Sequence, residues 1–88
     1  MKQPVITIYT KPSCVQCTAM KRKFASAGLE YGEDDALDPG NFEAIKFLGF
    51  ASAPVVVATW SGKDEMLWAG NRPDMVDLIL KRMAEGDD

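Results

Sequence analysis

The apolar positions fall in short runs separated by proline, glycine and charge. Val5-Ile6-Thr7-Ile8-Tyr9-Thr10 is β-branched and aromatic without a charged residue, the pattern of a strand covered on both faces. Pro12 and Ser13 punctuate it. Cys17, Met20, Phe24 and Ala27 then recur at i, i+3, i+7 and i+10, opposite Thr18, Lys21, Arg22, Lys23 and Ser26, and Gly28 stands where a helix C′ residue belongs. Strand, turn and helix open a βαβ unit. The return strand is expected between Leu29 and Leu37. Leu29 and Tyr31 alternate properly there, and Gly32-Glu33-Asp34-Asp35 breaks the alternation with charge. Such brevity and charge suit an edge strand, which must avoid pairing with other chains.

Asp38-Pro39 reads as an N-cap followed by proline at the first helical position. It opens a helix with Phe42, Ile45 and Leu48 inward and Gly49 at its end, followed by a loop over 50–53. Pro54-Val55-Val56-Val57-Ala58-Thr59 is a second buried strand, with proline at the residue where strands tolerate it. Ser61-Gly62-Lys63-Asp64 reads as a hairpin turn into a strand over Glu65-Met66-Leu67-Trp68. Past a break at Gly70-Asn71, Pro73 opens an amphipathic helix with Met75, Val76, Ile79, Leu80 and Met83 apolar against Asp74, Asp77, Lys81 and Arg82. Gly86-Asp87-Asp88 reads as a fraying tail. The order β-α-β-α-β-β-α predicts an α/β fold with one four-stranded mixed sheet and three helices. Trp60 and Trp68 read as packing residues, because large aromatics dominate small cores.

With 88 residues, the chain has room for one small domain and none for a two-domain dinucleotide enzyme or a barrel. The net charge of −3 argues against a general binder of nucleic acid or of anionic membranes, either of which calls for a basic surplus. Apolar runs are too short to span a bilayer, and the N-terminus lacks the apolar segment of a signal peptide, so the cytoplasm is the expected location. The chain has no histidine, which removes Cys–His and Ser–His nucleophile pairs and imidazole metal sites. Chemistry near neutral pH is left to a cysteine, a shifted carboxylate or a shifted lysine.

There are two cysteines, Cys14 and Cys17. A loop this small barely restricts the unfolded chain, so a bond between them is a poor staple. Cys17 belongs to the inward helical stripe, and Cys14 sits at the mouth of the same helix, just past the first strand. The spacing places the sulfurs close enough to bond, one outward and one inward. A free thiol of pKa ~8.5 is only about 3% thiolate at pH 7, whereas one lowered to ~7 is half ionised. Unpaired N–H groups at the helix start and the nearby Lys11 cation both push that way. Other readings stand beside this one. The pair could be half of a zinc or iron–sulfur site completed by a dimer, or two unrelated core cysteines, and Lys11 could be a solvated loop lysine. Lys21, Arg22 and Lys23 read as solvated helix surface with some capacity to dock an acidic partner.

Tyr9-Thr10-Lys11-Pro12-Ser13-Cys14-Val15-Gln16-Cys17 resembles the active-site segment of glutaredoxin-like proteins of the thioredoxin fold, and its Cys14-Val15-Gln16-Cys17 is typical of the NrdH-type redoxins. Ala53-Pro54-Val55-Val56 is similar to their cis-proline loop. From sequence alone, a trans bond would be the default. Trp68-Ala69-Gly70-Asn71-Arg72-Pro73-Asp74 resembles their Trp-Ser-Gly-Phe-Arg-Pro-Asp signature, with Ala69 in place of the serine and Asn71 in place of the phenylalanine. The acidic Tyr31–Leu37 stretch departs from the family's apolar strand.

The resemblance implies a thioredoxin-like fold and a small thiol–disulfide oxidoreductase. Cys14 would be the nucleophile and Cys17 the resolving thiol, with Lys11 tuning the thiolate and Pro12, Ser13, Val15 and Gln16 forming the active-site loop. Ala53 and Pro54 would present backbone to an extended substrate, and Trp68, Gly70, Arg72, Pro73 and Asp74 would form the partner-contacting signature. No cofactor or metal would reside in the protein. Reducing equivalents would come from NADPH through thioredoxin reductase and pass to a class Ib ribonucleotide reductase, the carrier acting as a monomer. A glutathione-dependent dithiol glutaredoxin is the alternative, in which Lys11 would take a glutathione carboxylate. Against it, Ala69-Gly70-Asn71-Arg72-Pro73 stands where glutaredoxins usually carry Gly-Gly and an acidic pair. A non-catalytic thioredoxin-fold adaptor or dimeric metal carrier is a third reading, of another class.

Overall fold

The computed structural model describes residues 3–61 and 64–85. Its elements follow the predicted order: β1 (Val5–Thr10), α1 (Val15–Ser26), β2 (Gly32–Asp35), α2 (Pro39–Phe47), β3 (Val55–Thr59), β4 (Glu65–Ala69) and α3 (Pro73–Glu85). The sheet runs β2-β1-β3-β4. β1 pairs parallel with β2 across the α1 crossover, and antiparallel with β3, which pairs antiparallel with β4. The mixed sheet with three helices is therefore the predicted one. The predicted turn at Gly62-Lys63 and the tail at 86–88 lie outside the described residues. At the foot of the hairpin the Trp60 N–H donates to the Asp64 carbonyl at 2.9 Å.

One face of the sheet carries the core. Ile6 and Ile8 of β1, Val56 and Ala58 of β3 and Trp68 of β4 pack against Met20 and Phe24 of α1 and Val76 and Ile79 of α3, all buried. The predicted inward stripes of α1 and α3 thus face the sheet together. Phe24 is fully buried between Tyr31 and Trp68, with ring centroids 5.9 and 6.3 Å away. Gly28 ends α1 at φ +75° and Gly49 follows α2 at φ +89°, left-handed backbone that glycine adopts without steric penalty. Asp38 caps α2 as expected, its carboxylate accepting from the Asn41 N–H at 3.3 Å.

Two expectations need correction. β1 is not covered on both faces: Ile6, Ile8 and Thr10 are buried, whereas Thr7 and Tyr9 are half-buried and Val5 is exposed. On the opposite face, Phe42, Ile45 and Lys46 of α2 stand across a groove from Val55, so the cover there is incomplete. Phe42, Ile45 and Leu48 do not form a buried stripe, because α2 has no buried residue at all, and Phe42 and Leu48 are half exposed. The cause lies across from them, where Ala36, Ala51, Ser52 and Ala53 are too short to fill the space and leave a groove of about 330 Å³ floored by Val55. β2 is the short, charged edge strand expected: Gly32-Glu33-Asp34-Asp35 is exposed at the sheet edge, with Leu29 and Ala36 buried on either side of it as anchors.

Phe24→Ala would remove the centre of this packing and should destabilise the protein by about 3–5 kcal/mol. Urea denaturation of the oxidised protein checks this, and a loss under about 1 kcal/mol would show that Phe24 is not the keystone of the core.

Candidate active site

β1 ends at Thr10, and four residues carry the chain from there to the first turn of α1. Lys11, Pro12 and Ser13 are exposed, and Ser13 has φ +56°, a left-handed conformation that costs a non-glycine residue roughly 1–2 kcal/mol. The turn delivers Cys14 to the N-cap position of α1, where serine, threonine, aspartate or asparagine would ordinarily stand. Its sulfur does their work, accepting from the Cys17 N–H at 3.1 Å. Cys14 and Cys17 form a disulfide with Cα atoms 5.2 Å apart. Cys14 is partly exposed and Cys17 almost wholly buried, which matches the outward and inward placement expected.

The disulfide opens onto a cleft of about 450 Å³ lined by Thr10, Lys11, Ser13, Cys14, Val15, Cys17, Thr18, Lys21 and Glu33. Val15 is largely exposed beside the disulfide, an apolar contact surface for whatever approaches. Lys11 also borders the apolar groove beneath α2, together with Ala53, so the lysine stands between the two depressions. It forms no ion pair among the described residues.

The second residue between the cysteines is tied elsewhere. The Gln16 side-chain oxygen accepts from the Asn71 N–H at 3.1 Å, joining the cysteine loop to the segment before α3. Gly70, at φ +88°, makes the turn that brings Asn71 there, and its N–H donates to the Pro54 carbonyl at 2.8 Å. The Ala53–Pro54 peptide is cis, as the resemblance implies, and Pro54 is buried. Gln16, Pro54, Gly70 and Asn71 are thereby one connected unit. Trp68 does not belong to the accessible surface: it is buried on Phe24, and its indole N–H has no partner among the described residues. Of the rest of that segment, Gly70 is half-buried and Arg72, Pro73 and Asp74 are exposed. Arg72 donates through Nε and a terminal nitrogen to both oxygens of Asp74, at 3.0 and 2.9 Å. This pairing holds the Asp74 carboxyl below its usual value.

Sequence reading does not single out Thr10, Lys21 or Glu33 as site residues. The Glu33 carboxylate accepts from the Thr10 hydroxyl at 2.7 Å and from Lys21 Nζ at 3.0 Å, both on Oε2. Those two donors, the hydroxyl foremost, hold its carboxyl below the ordinary value. Lys21 is therefore not free helix surface, and Lys23 is likewise paired, with Asp77 at 3.1 Å. The available signal was the parallel register, which sets Glu33 opposite Ile8, two residues from the end of β1.

A dithiol–disulfide pair capping a helix at the end of the central strand of such a sheet defines a thiol–disulfide redox protein of the thioredoxin fold. Residues 6–59 match the glutaredoxin family model. The glutaredoxin-like protein NrdH of Salmonella typhimurium is 40% identical over 75 residues, covering 84% of this chain and 86% of that protein. NrdH of Escherichia coli K12 is likewise 40% identical, over 76 residues. The solved structure of the Escherichia coli NrdH-redoxin, a glutaredoxin-like protein described as having a thioredoxin-like activity profile, superposes with a TM-score of 0.71 at 38% identity, over 83% of this chain and 91% of that one. Thioredoxin from Trypanosoma brucei brucei shares the fold at a TM-score of 0.63 and 19% identity, covering 98% of this chain and 80% of that one. The chain belongs to the glutaredoxin family, as one of its NrdH-type members. No helix among the described residues is long and apolar enough to cross a membrane.

The lowered Glu33 value has a consequence for stability. A carboxyl whose folded value lies below its unfolded one contributes stability that is fully present above the ordinary value of 4.5 and is lost as pH falls through the folded value. Glu33→Gln should therefore lower the denaturation midpoint at pH 7, with the gap to the native protein closing as pH falls below the ordinary carboxyl value. A gap that did not change with pH would assign the difference to packing rather than charge.

Proposed function

We propose that this protein is a single-domain dithiol electron carrier of the cytoplasm, reduced by thioredoxin reductase at the expense of NADPH, with a class Ib ribonucleotide reductase as its principal acceptor. In the reduced protein, the Cys14 thiolate attacks one sulfur of a partner disulfide. A Cys14–partner bond forms, and the partner's other sulfur leaves as a thiolate. The Cys17 thiolate then attacks the Cys14 sulfur, releasing the second partner thiolate and forming Cys14–Cys17. Two electrons pass from the dithiol to the partner. The Cys17 N–H at the Cys14 sulfur and the Lys11 cation at the cleft favour the attacking thiolate. Cys17, buried, waits behind it. Ala53 makes no backbone hydrogen bond among the described residues, which suits it to pair with an extended substrate segment.

The choice of thioredoxin reductase over glutathione rests on one observation: the polar groups around the signature segment are already in use. Arg72 binds both Asp74 oxygens and neutralises that carboxylate, which weakens its pull on a glutathione amine, and Gln16 takes the Asn71 N–H. The deciding experiment follows insulin and hydroxyethyl disulfide reduction with NADPH and thioredoxin reductase, against glutathione with glutathione reductase. Fast turnover with the first system alone is expected, and fast turnover with glutathione would overturn the assignment of the reductant.

Substitutions separate the two thiols. Cys14→Ser should abolish insulin reduction, while Cys17→Ser should still attack and accumulate a mixed disulfide visible by mass spectrometry. Residual reduction by Cys14→Ser would reverse the roles. Lys11→Ala should move the pH midpoint of Cys14 alkylation upward, and an unmoved midpoint would remove Lys11 from thiolate tuning.

A further inference from the structure

The cleft beside the disulfide contains three charged groups from three elements: Lys11 after β1, Lys21 on α1 and Glu33 on β2. Lys11 has no ionic partner among the described residues, whereas Lys21 is bound to Glu33. Glu33 is not a side chain sweeping through solvent. The Thr10 hydroxyl, on a buried residue at the end of the central strand, fixes its Oε2, and Lys21 fixes the same atom from the helix. Oε1 has no partner among the described residues. One wall of the cleft is thus a neutralised ion pair with an unoccupied carboxylate oxygen, and the other is a lone cation.

We propose that Glu33 is a specificity-determining residue of the disulfide exchange reaction: its carboxylate, anchored by Thr10, masks Lys21 and disfavours disulfides that carry negative charge beside the reacting sulfur relative to those that carry positive charge. The inference rests on the thiol–disulfide reaction described above and adds the charge of the preferred substrate. Removing the carboxylate leaves two uncompensated lysines in the cleft and should turn it toward anions. Removing Lys21 instead leaves Glu33 exposed to the substrate and should turn it toward cations. Fixed charges lining a cleft act mainly on the rate of encounter, and salt weakens them.

Three disulfides of matched shape provide the test: cystamine with two ammonium groups, hydroxyethyl disulfide with none, and 3,3′-dithiodipropionate with two carboxylates. The reduced protein is mixed with each in excess at low ionic strength, and its oxidation rate is read by quenched alkylation and mass spectrometry. Each compound's leaving thiol has its own reactivity, so the quantity compared between proteins is the ratio of the dianionic to the dicationic rate. Glu33→Gln should raise that ratio about threefold to tenfold, Lys21→Gln should lower it, and both shifts should shrink at about 0.5 M salt, where the screening length is only a few ångströms. A ratio within twofold of the native one in both variants would overturn the proposal, and so would equal changes toward all three compounds, which would mean an effect on Cys14 itself. If the native reduced protein reacted with none of the three, the redox reading would fall and this one with it. Reaction with all three at a ratio insensitive to Glu33 and Lys21 would overturn only the charge selection.

Discussion

The hydrogen bond from the Cys17 amide to the Cys14 sulfur is the contact on which the site depends, because it makes one atom serve two purposes. A helix must satisfy its first N–H groups, and a redox centre must hold its sulfur at an exposed point of fixed geometry. Here the same sulfur is both helix cap and reacting atom. The rest of the structure keeps it in place. Ser13 takes a left-handed turn so that Cys14 can cap α1, Phe24 pins the far end of the helix under the sheet, and Gln16 ties the first turn to the segment before α3. Displacement of α1 along the sheet would therefore disturb chemistry and fold together.

Much of this was legible from residue order alone. The stripes of α1 and α3 and the runs at β1 and β3 declare themselves through periodicity, and the two cysteines through their spacing after a strand. Where the reading failed, the cause was what lies opposite an element rather than what lies within it. Phe42, Ile45 and Leu48 have the spacing of a buried stripe, yet the facing Ala51, Ser52 and Ala53 cannot close on them. Val5 belongs to an apolar run but lies at the end of a strand whose second face is only partly covered. β2 was legible as a short charged edge strand within 29–37, and its bounds follow from pairing with β1 and from Leu29 and Ala36 at its ends, since its own residues resist the strand state.

The candidate site divides in the same way. Cys14, Cys17 and Lys11 are neighbours in sequence and line one cleft, so their proximity could be read directly. Gln16 and Asn71 are separated by 55 positions, and Thr10 and Glu33 by 23, distances that only the sheet register and the α3 turn bring to hydrogen-bond range. Trp68 shows the opposite case. Its motif pointed to a partner contact, but its ring is a wall of the core, as its reading as a packing residue expects.

The acidic edge strand also bears on how these molecules meet one another. Two copies approaching through β2 would bring Glu33, Asp34 and Asp35 against the same three side chains, since like elements meet in like orientation at a symmetric contact. Backbone groups able to extend the sheet are present on that edge, but mutual repulsion guards them. A thiol–disulfide carrier must remain dispersed between encounters. With β2 closed to its own kind, only the β4 edge remains for strand-to-strand growth, so the two sides of the sheet differ in sociability as well as in sequence.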